Sequence, residues 1–298
     1  MSDLRLSEKM YAQTKIQLLE QLRDGGYTEA DLVLVLRAYA VAAELVSCRF
    51  QGNNNSFIAH LVGVASIAAA HGAGAEIVAV ALLHSAYRNG DFGEGPLEWL
   101  CDVAAFLLGR WSHTQRRFLY NKLLSWYRGW RPFTRLRLVS PAKRRRLQRQ
   151  FGARIEATVY RFTALRWWPE TLPALVAGSG ALDSVDRAVV FLYLANELER
   201  THDGGLLYHA HSEQKLAFVR DCGDSVVKLA EEISGPRLAT ELRQAYAWIM
   251  TASVPQELRL SPRWEAWSYL RPPLSARWRM GARLRKVLMH CVPGTPLA

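Results

Sequence analysis

At 298 residues, half of them hydrophobic, the chain is long enough for one large or two small cores and has the composition of a folded globular protein. Its net charge of +11 is unevenly laid out: from Arg110 to Glu170, 16 Lys and Arg face only Glu156 and Glu170, and from Arg259 onward eight face only Glu265, so the remaining body is acidic. Four scattered cysteines, Cys48, Cys101, Cys222 and Cys291, form no C-x-x-C pair, which argues against a disulfide framework or a zinc–thiolate site and fits a reducing compartment.

In chain order, the polar start carries no apolar signal core, so a cytoplasmic protein is expected. Leu, Val and Ala spaced three and four apart predict helices over 7–23 and 28–47, with Thr28 as N-cap and Asp31 in the first turn. Residues 51–56, QGNNNS, break the pattern as a loop, and Ser56 is placed to cap the next helix. Helices over 57–71 and 74–88 are joined by His-Gly-Ala-Gly, short enough to favour an antiparallel pair. His60, His71, Glu76 and glycines interrupt this apolar stretch, so no transmembrane segment is expected.

Residues 89–96, NGDFGEGP, are the most turn-rich part of the chain. Helices are then predicted near 96–110, 113–128, 140–166, 184–202, 212–234 and 236–252. No alternating β-branched run demands a sheet. The predicted fold class is all-α: one helical domain over 1–254, then a Trp/Arg/Pro-rich basic C-terminal extension over 255–298.

Two histidines, 24 residues apart, stand on apolar stripes. His60 joins Val64, Ile67 and His71; His84 joins Ile77, Val80 and Tyr87 in a 3-4-3 step. A group that titrates near neutrality is awkward in a core unless it is hydrogen-bonded or ligates something. A satisfied core histidine and a shared site are both compatible with this pattern. His202, His209 and His211 surround a later loop, where H-x-H spacing is often found by chance, and His113 and His290 lie in basic neighbourhoods.

The order of these segments resembles the HD superfamily of metal-dependent phosphohydrolases, above all the hydrolase half of enzymes that degrade guanosine tetraphosphate. The stretches that carry the likeness are His60, then ALLHS (81–85), FGARIEATVYRF (151–162) and LYLANELE (192–199). The string of His84, Ser85, Tyr87, Gly90 and Phe92 is similar to an HD-like bacterial family with a degenerate HS/N motif. The resemblance implies an HD-like helical bundle. It also implies metal ligation by His60 and His84, with Ser85 and Asn196 standing where the family has aspartates.

On the later helix, Val185, Val189, Leu192, Asn196 and Glu199 share a face, so Asn196 points where the family's aspartate would. If the site holds a metal, the resemblance implies Asn196 as a weak oxygen ligand, with Glu199 or Asp91 restoring an anionic one. Such a set suits one divalent metal ion (Fe, Mn or Zn) rather than two. Ser85, Tyr87 and Asp91 are the candidate catalytic groups at the mouth, although the Ser85 hydroxyl has a competing role, bonding back to its own helix.

Between 110 and 170 arginines alternate with aromatics, and Lys143, Arg144, Arg145 and Arg146 form the densest candidate for anion binding. A phosphorylated small molecule or nucleotide, a nucleic acid and an anionic membrane surface are all compatible partners, as is a plain solvated face. The basic amphipathic stretch from Arg277 to Met289 adds a peripheral contact at the inner membrane surface. Three functional readings are compatible with these features: a degenerate HD-type metal-dependent hydrolase, an HD-type iron oxygenase, and a non-catalytic HD-like binding or scaffold protein using its basic faces.

Overall fold

In a computed structural model of the chain, the described residues are 11–46, 49–51, 53, 55–90, 92, 139, 141–165, 171–202, 204–209 and 212–255. Over these the fold is all-α. The helices are α1 (Lys15–Asp24), α2 (Glu29–Val46), α3 (Phe57–Ala70), α4 (Ala75–Leu83), α5 (Ala86–Asn89), α6 (Pro141–Ala164), α7 (Leu172–Gly178), α8 (Ser184–His202), α9 (Ser212–Ser234) and α10 (Pro236–Thr251), with a 3₁₀ turn at Ser179–Ala181. The helices expected near 96–110 and 113–128, and the extension after Pro255, lie outside the described residues.

Local chemistry starts the early helices. Thr14 and Gln17 form a reciprocal capping box at α1. At α2, the Asp31 N–H donates to Thr28 Oγ1 (3.2 Å) while the Thr28 N–H donates to the Asp31 carboxylate (3.0 Å). The Ser56 hydroxyl accepts from the Ala59 N–H (3.3 Å) at α3. A single bridge between Phe50 and Ser56 closes the loop before it.

Helix α3 runs through the middle of the fold. Every residue from His60 to Ala68 is buried, as expected of a helix covered on all sides. Helices α1, α2, α4 and α8 pack around it, α8 also lies on α6, and α9 pairs with α10. The core is continuous from Leu18 and Leu22 through Leu61, Ile67, Leu82 and Leu194 to Leu238 and Ile249.

Helix α1 starts at Lys15, behind its Thr14 cap, rather than near residue 7, α7 has no counterpart among the expected helices, and two further helices are interrupted. The stretch predicted as one helix over 74–88 ends at Leu83 and restarts as α5. The His84 imidazole donates from Nδ1 to the Ala81 carbonyl (2.6 Å), a side-chain bond that competes with the helical ladder there. Helix α6 is broken at Gly152, whose φ of 86° lies in the left-handed region that glycine enters freely. The break folds the Arg144 end of α6 onto the Glu156 end. No helix among the described residues is long and apolar enough to cross a membrane.

Candidate functional site

The two histidines meet. His60, in the first turn of α3, and His84, at the end of α4, are both buried, and their rings approach edge to face with centroids 5.4 Å apart. Phe57 closes on His60 (5.7 Å) and Phe162 from α6 closes on His84 (4.7 Å). Phe162 in turn stacks on Tyr193 at 4.0 Å.

Each imidazole is held through Nδ1. That of His60 bonds the Glu199 carboxylate, reaching across from α8, and both partners are buried. The α3 backbone must be bare for Glu199 to fit: a Cβ on Gly63 would stand 2.8 Å from Glu199 Cγ. His84 Nδ1 is engaged by the Ala81 carbonyl. Burial, and then the neighbouring His60, push the His84 pKa down to about 3, so the ring is neutral at physiological pH. A carbonyl only accepts, so the His84 hydrogen is on Nδ1 and the lone pair on Nε2.

Around the mouth, a second cluster is built on Glu156, which is only 3% exposed. Its carboxylate accepts from the Tyr87 hydroxyl (2.9 Å) and, in a fork, from Arg144 Nε (2.6 Å) and Nη2 (2.9 Å). The Arg144 guanidinium also lies 3.8 Å from the centre of the Tyr160 ring. Burial, reinforced by Glu156, raises the Tyr87 pKa, and the bond to Glu156 raises that of Arg144.

The structure thus brings together His60, His84 and Glu199 of the expected site residues. Asn196 is half-buried on α8, one turn before Glu199. Ser85 is buried and precedes α5 without capping it through its side chain. The Tyr87 hydroxyl is committed to Glu156. Asp91 lies outside the described residues, as do His113, His211 and His290.

His71 bonds Glu241 through Nε2 (3.2 Å), and His202 packs edge-on to Tyr11 (5.2 Å), so neither faces the His60–His84 pair through these contacts. Of the basic knot, Arg144 is paired with Glu156 and Arg146 with Glu44 (3.0 Å), while Lys143 and Arg146 lie over the Phe92 ring (5.3 and 5.7 Å) and Arg145 is exposed.

Sequence reasoning missed Glu156, Gly63 and Arg88. The available signal for Glu156 was its isolation, one acid amid a dense run of cations. Arg88 lies one turn beyond His84, is exposed, and bonds the Tyr193 hydroxyl with its guanidinium.

Histidine ligands to metals donate their second ring N–H to a carboxylate or a backbone carbonyl, and the partners of His60 and His84 are one of each. Two imidazoles therefore fit a borderline ion such as zinc, manganese or iron. Glu199 is spent in orienting His60. Among the described residues, no group of three or more His, Cys, Asp or Glu is arranged to hold a metal ion.

No family model matches the chain, and no curated protein matches it.

Proposed function

We propose that the chain is a degenerate HD-type hydrolase in which His60 and His84 hold one divalent ion and the substrate is a phosphorylated small molecule or nucleotide. The observation that carries this reading is the pair of second-nitrogen contacts, Glu199 on His60 and the Ala81 carbonyl on His84, which set each ring to offer Nε2. Asn196 and water would complete the shell. When bound, such an ion acidifies water and polarises a phosphoryl oxygen. The chain's own residues orient the donors: Glu199 fixes the His60 ring, Phe57 and Phe162 exclude solvent, and Glu156 ties the Tyr87 turn to α6.

Elemental analysis of protein prepared without chelator tests this. Wild type should carry about one transition-metal ion per chain. His84→Ala should lose it while remaining helical by circular dichroism, and Ser85→Asp with Asn196→Asp should raise occupancy or admit a second ion. Wild type that stays metal-free when zinc, manganese and iron are supplied overturns the reading.

A second reading is favoured by one specific observation: Glu199 is engaged by an imidazole, so among the described residues the ion would lack a protein anion. In that reading the chain is an HD-like binding or scaffold protein whose cationic sectors meet a nucleic acid or an anionic membrane surface. Binding to RNA, heparin and anionic vesicles should then fall steeply with salt, and equal, negligible retention on all three at low salt overturns it.

A further inference from the structure

Several guanidinium groups of the fold are already neutralised. Arg144 is forked onto Glu156, Arg146 is paired with Glu44, Arg154 faces Glu76 at 3.3 Å, and Arg161 is forked onto Asp186 at 2.8 and 2.9 Å. Arg88 differs. Among the described residues it has no carboxylate partner, although it lies four residues beyond His84. The chain leaves the helical path at Ser85 between the two residues, yet the Arg88 charge is near enough to act on the His84 ring.

Its position is supported by neutral contacts. Arg88 donates to the Tyr193 oxygen. The Tyr193 hydroxyl in turn donates to the carbonyls of Phe162 (2.9 Å) and Leu165 (3.1 Å), and its ring stacks on Phe162, which covers His84. An exposed cation with no carboxylate partner among the described residues, held by a tyrosine near the histidine pair, is suited to attract an anion. A guanidinium bound to a neutral hydroxyl keeps its full charge and most of its donors for a ligand.

We propose that Arg88 is the residue that recognises the charged end of the substrate, by donating to phosphoryl oxygens at the rim of the His60–His84 site. The proposal rests on the phosphorylated-substrate reading above. It assigns recognition to Arg88 rather than to the denser basic knot at Lys143–Arg146, where Arg144 and Arg146 are already paired with carboxylates.

The test uses the full chain, with inorganic phosphate and pyrophosphate as probes, monitored by isothermal titration and ³¹P line broadening. Each protein is measured after chelator treatment and again after loading with manganese or zinc. Arg88→Gln should weaken binding of both probes by at least about tenfold, the range lost with a charge-assisted hydrogen bond. Arg88→Lys should restore part of it, because a point charge remains without the fork. Tyr193→Phe should weaken binding by a smaller factor, about threefold, by releasing the guanidinium from its support.

Arg220→Gln, an exposed arginine on α9 outside the basic knot, serves as the control and should leave binding unchanged. Metal content should be the same in wild type and Arg88→Gln, which separates this proposal from the metal reading. Phosphate binding that needs Arg88 in a wild type that stays metal-free when metals are supplied would sustain the anion site and overturn the metal site. Wild-type binding retained in Arg88→Gln, an equal loss in Arg220→Gln, or no binding of either probe to wild type at millimolar concentration would overturn the Arg88 assignment.

Discussion

His60 and Glu199, 139 residues apart in the chain, are joined through Nδ1 and a carboxylate oxygen inside the helical core, each more than nine-tenths buried. Neither group is tolerable there alone, because a buried polar group without a partner carries its full desolvation cost. Glu199→Ala should therefore destabilise the fold by about 3 kcal/mol, as stranding a buried imidazole nitrogen and opening a cavity do. Glu199→Gln, which keeps the shape and an acceptor oxygen, should cost about 1 kcal/mol. Urea unfolding of the variants measures both, and equal losses would show that shape and a neutral acceptor contribute nothing to the contact.

Gly63 gives the same contact a second test. Alanine is the better helix former by about 1 kcal/mol, so Gly63→Ala would stabilise an ordinary helix interior. Here the added Cβ meets Glu199 Cγ at 2.8 Å, and a net loss of about 1–3 kcal/mol is expected. In a Glu199→Ala background only the flexible Gln13 side chain remains close, its Nε2 3.3 Å from the added Cβ, and Gly63→Ala should be neutral or stabilising. A double-mutant cycle reads the coupling directly. Additive effects would mean that the two positions do not touch.

His84 sets an acid limit on stability. Its pKa is 6.5 in its ordinary state and about 3 in the fold, so between these values the unfolded chain binds the extra proton. Its contribution is complete above about pH 6.5 and is lost as pH falls toward 3, at up to about 1.4 kcal/mol per pH unit. His84→Leu removes this titration and should flatten the acid limb of stability against pH over that window. The comparison is made by urea unfolding at several pH values with metal-stripped protein. Identical acid slopes would show that His84 does not titrate differently on unfolding.

Glu156 is held by three donated hydrogen bonds, and the donors should not be equivalent. Tyr87→Phe removes one neutral donor and should cost about 1 kcal/mol. Arg144→Met leaves a nearly buried carboxylate without its cation and should cost about 3 kcal/mol. Glu156→Gln combined with Arg144→Met should recover part of that loss, because no charge is then stranded. Thermal melts of the variants decide the order, and a larger loss in Tyr87→Phe would reverse the assignment.

Much of this architecture arises from local rules and is visible in the chain. Thr28 with Asp31, and Ser56 before α3, are helix starts that short-range hydrogen bonding dictates wherever they occur. The 3-4 spacing of Val64 and Ile67 with His60, and of Val80 with His84, places both histidines on buried faces, and they are buried. Periodicity tells which way a side chain points from its own helix. It carries no information about what stands opposite.

Tertiary packing decides what stands opposite. Glu199 shares a helix face with Asn196 and so reads as a ligand, yet what it meets depends on α3 bringing His60 and a bare Gly63 to the same point. Glu156 is one acid in a basic run until the left-handed turn at Gly152 folds Arg144 back onto it. The expected helix over 74–88 is divided because a neutral His84 ring, shielded by Phe162, donates to the Ala81 carbonyl. Helix propensity acts over a few residues and is written in their order. The pairing of buried polar groups acts over distances that only the folded chain makes short, because such groups must find partners wherever packing leaves them.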